Sequence, residues 1–170
     1  QRALESAGLS PQDVDYIIFG TMTPDYILPG SGGLLGAKLG LEGVPALDIR
    51  QQCAFFPFAV QVADALTMAG VAETILIVGA NAHAGFMPWD WDALWSGEKS
   101  DADAYQFATQ HRATAVLFGD GAGAVVCRPH PKKDEGFGVL GTVCRTDGNR
   151  HDHFFVPAGG FRHYRYWDVP

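Results

Sequence analysis

The chain is short of positive charge. Its 12 Lys and Arg stand against 19 Asp and Glu, for a net charge of −7. That balance argues against a nucleic-acid or anionic-membrane surface, since both need clustered cations. No apolar run approaches the length of a membrane span, and no signal-peptide pattern is present. Cysteine is scarce as well: Cys53, Cys127 and Cys144 make an odd number with no CxxC spacing. This fits a reducing cytosol better than a disulfide scaffold or a zinc knuckle. Internal repeats and low-complexity tracts are absent. So is a starting Met: the chain opens "QRALESAGLSPQDVD", which reads as the second half of a helix followed by a Ser-Pro break. It ends "FRHYRYWDVP" with no terminating element, so a piece of a longer protein, incomplete at both ends, is expected.

What is there reads as one globular domain. The 170 residues are 47% apolar and 18% charged, enough for a sizeable core and too apolar for disorder. A helix end over Gln1–Gly8 is stopped by Gly8. Val14–Thr23 is an apolar, β-branched run and predicts a buried strand. Ser31–Gly43 predicts a short helix with Ser31 as N-cap. "VPALDI" predicts a second strand. Cys53–Ala69 predicts a helix with Gly70 at C′. Glu73–Asn81 predicts a third strand. Thr114–Cys127 is expected to be extended on both sides of a Gly-rich kink, and "GFGVLGTVCRTD" to form a last strand. Strands alternating with helices indicate an α/β layer architecture with a sheet covered on both faces. The helix from Cys53 is apolar nearly all round, apart from a stripe of Gln61, Asp64 and Thr67, and predicts an interior position. Between the third strand and Arg112 lies a Trp-rich, acidic stretch, Ala82–His111, too long for an ordinary connection.

Cys53 follows "PALDI" at the start of that buried helix. Ligands of α/β sheets bind outside the carboxyl ends of strands. A helix N-terminus carries partial positive charge and unpaired N–H groups, which favour thiolate and can hold an oxyanion on an attacked carbonyl. Position alone leaves two readings open, nucleophile and small core residue. Cys127 and Cys144 lie within apolar strands and read as core filler.

Three motifs in order resemble the thiolase-like condensing enzymes, most closely the β-ketoacyl-ACP synthase III family. They are the Cys53 helix with its flanking strands, "HRATAVLFGDGAGAVV", and "TDGNRHDHFFVPAGG". The resemblance covers nearly the whole chain apart from the Trp-rich insertion and the last few residues. It implies a layered α/β/α/β/α architecture with a mixed, mostly parallel sheet, of which residues 1–170 would be the N-terminal half. It implies that Cys53 is the acyl-accepting nucleophile. Arg112 matches an Arg that contacts the CoA nucleotide, although an exposed loop Arg reads equally well. Phe118 matches an aromatic beside the acyl channel, or is a core Phe. Leu28, before Pro29, matches a loop residue that reaches into the partner subunit's pocket. Phe154 and Phe155 fall in the segment that helps to line the acyl pocket. Asp25 matches only weakly a base that some relatives carry in the Leu28 loop. Close relatives usually have Gly two residues after the Cys, where this chain has Phe55. Pro57 would delay the regular helix by one or two residues, and Phe55, Phe56 and Phe58 would add bulk near the thiol.

Weaker signals are set aside. "GSGGLLG" has Leu35 where a dinucleotide fingerprint needs Gly. "GDGAG" is not followed by GK[ST]. His151, Asp152, His153 and His163 lack further ligands at metal spacing. His83 does not match the family's catalytic His and reads as a loop histidine.

The implied function is an acyl-thioester condensing enzyme that takes an acyl group from CoA or a carrier protein onto Cys53 and joins it to a malonyl-type thioester. Two rivals remain: acyl transfer to a hydroxyl or amine acceptor without decarboxylation, and a non-catalytic dimerisation or carrier-binding module. The resemblance implies CoA and carrier-protein thioesters as substrates, no separate cofactor or metal, an acyl carrier protein partner, a homodimer and a cytoplasmic location. The His and Asn of the family's site would come from a second half of the fold, which these 170 residues do not contain.

Overall fold

A computed structural model describes residues 1–87, 89–130 and 138–156. Four strands form one sheet in the order β2-β1-β3-β4, with β1 Tyr16–Gly20, β2 Ala46–Asp48, β3 Ile75–Asn81 and β4 Gly121–Cys127. The first three run parallel and β4 is antiparallel to β3, so the sheet is mixed and mostly parallel, as predicted. Helices α1 Arg2–Ser6 and α2 Ser31–Lys38 lie toward one face, and α3 Phe55–Met68 lies on the other.

Strand periodicity explains why β1 and β3 are nearly all apolar. Successive side chains point to opposite faces, and here both faces are covered. Ile17, Phe19 and Leu76 go to the cluster that holds Leu4, Leu35 and Leu39. Ile18, Ile75 and Ile77 go to the cluster under α3, with Phe55, Ala59 and Ala63. Each such Ile or Leu contributes about 1.5–3 kcal/mol on burial.

Both ends of α3 follow from the sequence. A 3-10 turn over Gln52–Ala54 precedes it, so regular helix starts two residues after Cys53. Pro57 then falls in the first turn, where its missing N–H would have had no helical partner. At the other end Gly70 takes φ 68°. Its N–H donates to the Thr67 carbonyl, and that of Val71 donates to the Leu66 carbonyl. That pair of bonds is a Schellman arrangement, with Gly70 at the C′ position expected for it.

Several expectations need correction. Gly30, not Ser31, is the N-cap of α2. Ser31 Oγ donates to Asp25 Oδ2 instead, and both Asp48 carboxylate oxygens accept from Gly32 N–H at 3.1 and 3.2 Å. A carboxylate from the next strand thus complements the helix end in place of the serine. α3 is buried along one face only: Phe56 is 50% and Met68 82% exposed. Its apolar composition exceeds what this sheet covers. Residues 112–117 are helical (α6, Arg112–Leu117), not extended; only Gly121 onward finds a strand partner, in β3. Residues 138–147 form no strand, because nothing among the described residues pairs with them. Gln61 Nε2, donating to Thr142 Oγ1, ties this segment to α3. The Ala82–His111 stretch contains α4 Trp91–Ser96 and α5 Ala102–Gln110, each capped by an Asp at its start (Asp90 and Asp101). Among the described residues, no helix is long and apolar enough to cross a membrane.

Candidate active site

The carboxyl ends of β1, β2 and β3 and the amino end of β4 share one edge of the sheet. Cys53, the Leu28 loop, His83 and the Phe118–Asp120 turn all lie on segments that join the strands at this edge.

Cys53 is exposed and sits in the 3-10 turn that feeds α3. The residue before it, Gln52, has φ 43°, the one positive φ at a non-glycine among the described residues. A left-handed Gln is held against a cost of about 1–2 kcal/mol, and such outliers concentrate where a side chain must be aimed. The 3-10 turn links β2 to α3 and has Cys53 as its middle residue. Sequence pattern gives no sign of the positive φ, because Gln has no preference for the conformation. Gln52→Val is expected to lower stability by about 1–2 kcal/mol, since a β-branched side chain tolerates this φ worst. Gln52→Gly is expected to be neutral or slightly stabilising. Urea midpoints check both, and equal midpoints for the two variants would contradict the strain.

Phe55 opens α3 two residues after Cys53. Its ring is buried over β1 and β3, where the absence of a side chain at Gly20 makes a seat for it and Gly79 lies within ordinary contact range. Phe56 stays half exposed. The bulk that replaces the relatives' Gly therefore goes into the sheet and anchors the first turn of α3.

The other predicted residues divide. Phe118 and Phe154 come together, with ring centroids 6.5 Å apart and planes 27° from parallel. Phe155 is 61% exposed beside them in sequence. Leu28 is 79% exposed at the tip of the β1–α2 loop, with Tyr26 and Ile27 also exposed. Arg112 is exposed at the start of α6. Asp25 accepts from Ser31 and lines a cavity of about 380 Å³ with Thr21, Thr23 and Asn81. That cavity does not include Cys53 and lies toward the α2 face of the sheet.

His83, read from the sequence as a loop histidine, lies on the segment directly after β3, outside any helix or strand. It is buried, at 3% exposure. Its Nδ1 lies 3.1 Å from the Gly119 carbonyl oxygen, and its ring stacks on Phe118 at 5.0 Å and 13°. Beside it Ala84 N–H donates to Asp120 Oδ1 at 2.9 Å. Its position directly after a buried strand is the available signal.

The three thiols differ. Cys53 is exposed, whereas Cys127 and Cys144 are partly buried. Burial pushes the Cys127 thiol up, so less of it is thiolate near neutral pH. With limiting iodoacetamide at pH 8, Cys53 is expected to label first. Cys127 should lag by about an order of magnitude, through low thiolate fraction and poor access together. Mass mapping of the peptides checks the order, and Cys127 labelling ahead of Cys53 would contradict it. Among the described residues, no three His, Cys, Asp or Glu are grouped to hold a metal; His163 and residues 157–160 lie outside the described residues.

Comparison with known proteins gives the family. The profile of the 3-oxoacyl-[acyl-carrier-protein] synthase III family matches residues 47–148, from the end of β2 through Cys53 and beyond β4. The chain is 37% identical over 158 residues to a β-ketoacyl-[acyl-carrier-protein] synthase III of Xanthomonas oryzae, covering 93% of this chain and 41% of that protein. It is 33% identical to the synthase III of Erythrobacter litoralis, over 94% of this chain and 43% of that one. Among solved structures, the Pseudomonas aeruginosa 3-oxoacyl-(acyl carrier protein) synthase III superposes with a TM-score of 0.72 at 31% identity, over 95% of this chain and 44% of that chain. The chain thus spans about two fifths of the length of the relatives it matches. By its family match, its mixed sheet and the placement of Cys53 between β2 and α3, this chain belongs to the 3-oxoacyl-[acyl-carrier-protein] synthase III family.

Proposed function

We propose that the protein containing this chain is an acyl-thioester condensing enzyme and that Cys53 is its acyl acceptor. The observation that carries this reading is the exposed Cys53 at the strained turn into α3, within the family match. The Cys53 sulfur attacks the thioester carbonyl of an acyl-CoA or acyl-carrier protein. A new C–S bond forms to Cys53, the bond to the carrier sulfur breaks, and the carrier leaves as its thiol with the proton that Cys53 gives up. A malonyl-type thioester then loses CO₂, and its carbanion displaces Cys53 to give a 3-oxoacyl product. The partial positive charge at the amino end of α3 favours negative charge at this place. Phe118, Phe154 and Phe155 are the apolar wall for the acyl chain. Arg112 binds the CoA phosphate or adenine, and Leu28 reaches the partner in a homodimer. CoA and carrier-protein thioesters are substrates, with no separate cofactor. Residues 1–170 act as the N-terminal half of the site, and the decarboxylation machinery belongs to the remainder of the protein.

Intact-mass measurement of the complete protein after exposure to acetyl-CoA tests the proposal. A gain of one acetyl group that maps to the Cys53 peptide, and loss of that group on adding malonyl-carrier protein with release of CO₂, supports condensation. Acylation followed by transfer to an amine or hydroxyl without CO₂ supports the acyltransferase reading. No added mass from any acyl donor supports a non-catalytic module.

A further inference from the structure

We propose that His83 is a positioning residue that sets the acyl wall. It does so by fixing the Phe118–Gly119–Asp120 turn and seating the Phe118 ring. This rests on the reading of Phe118 and Phe154 as that wall.

A carbonyl oxygen only accepts hydrogen bonds, so the 3.1 Å contact with Gly119 places a hydrogen on Nδ1 of His83. The imidazole is buried at 3% exposure while Gly119 is exposed, so the bond holds an exposed backbone carbonyl to a buried ring. Next to it the Ala84 N–H donates to Asp120 Oδ1. Two consecutive residues after β3 therefore grip two consecutive residues before β4. On the other side Ala82 N–H donates to Thr23 Oγ1 at 2.8 Å. The segment 82–84 is thus held to the segment that follows β1 as well as to the turn.

The imidazole does a second thing. It stacks nearly parallel on Phe118, and Phe118 in turn meets Phe154. The three rings form a series from the buried His83 to the 73% exposed Phe154. Moving the first ring moves the second, and the second is the inner part of the wall. A histidine supplies both the donor and the flat face. Leucine supplies neither, asparagine only the donor, and phenylalanine only the face.

The complete protein is compared with His83→Leu, His83→Asn and His83→Phe. Rates of Cys53 acylation by acetyl-CoA and hexanoyl-CoA are measured by mass, and exchange of the Ala84 and Gly119–Gly121 amides by NMR. The hexanoyl-to-acetyl rate ratio is expected to change by about tenfold in His83→Leu, the scale on which an apolar pocket discriminates one methylene. His83→Asn should recover slow amide exchange, and His83→Phe should recover part of the chain-length ratio. A lesion that merely loosens the fold would lower both rates together and leave the ratio unchanged. In the wild type, ¹⁵N spectra of the imidazole should show hydrogen on Nδ1.

A His83→Leu protein with unchanged ratio and unchanged exchange overturns the inference. So does a wild-type ring with hydrogen on Nε2 alone. If His83→Leu does not fold, the wild-type spectra and the two conservative variants still decide. If the wild type accepts no acyl group, the condensing-enzyme reading fails. The positioning of the turn is then decided by the tautomer and the amide exchange.

Discussion

Cys53→Ala is expected to abolish the acyl adduct while leaving the fold intact. An acyl-enzyme requires a nucleophile on the protein, and alanine offers none, so adduct formation should fall by about 10³-fold or more. Cys53→Ser should fall nearly as far, because a hydroxyl remains protonated where a thiol ionises. The stability arm of the experiment gives it force. Cys53 is exposed, lies in a 3-10 turn and belongs to neither buried cluster. Substitutions at such positions typically change stability by within about 0.5 kcal/mol. Urea unfolding and intact mass on the same samples therefore separate the chemistry from the scaffold. Retention of an acetyl group on Cys53→Ala, mapped to another residue, would remove Cys53 from the mechanism.

Gly20→Ala is expected to disturb the site from beneath. A Cβ on Gly20 would overlap the ring of Phe55, which is buried and has nowhere to go. Overpacking of this kind costs about 1–3 kcal/mol. Phe55 is the first residue of α3, two positions from Cys53, so the accommodation that the ring makes is transmitted to the turn. A displacement near 1 Å is enough to lower a reaction rate by about 10²-fold. Gly79 supplies the contrast. A Cβ there would meet the same ring at 3.4 Å, an ordinary contact, and Gly79→Ala should change stability and acylation little. Trimming the ring with Phe55→Leu should rescue Gly20→Ala, so that the double variant is less impaired than the two single effects combined. Equal urea midpoints and acylation rates for Gly20→Ala and wild type would show that the seat is not tight.

Much of this architecture is legible in the order of residues along the chain. Apolar runs mark the buried strands Tyr16–Gly20 and Ile75–Asn81. A proline marks the delayed start of α3 at Phe55, and a glycine its end at Gly70. Each of these is a local signal, carried by residues within a turn or two of the feature they specify. Cys53 is legible for the same reason, because a strand, a short step and an apolar helix are adjacent in the chain. Other features involve residues far apart. Asp48 capping α2 joins positions 48 and 32. Phe55 seated on Gly20 and Gly79 joins three elements. His83 holding Gly119 spans 36 residues. No periodicity reports such pairings.

The failures have the same cause. Residues 112–117 and 138–147 contain β-branched and apolar residues that suit a strand, but a strand exists only where a neighbour accepts its backbone hydrogen bonds. β3 accepts Gly121–Cys127, and nothing among the described residues accepts the rest. Local order along the chain was enough to place the sulfur between a strand and a helix. Long-range packing settled which rings, carboxylates and amides surround the edge where that sulfur stands, because those free energies arise between residues that meet only after the sheet has assembled.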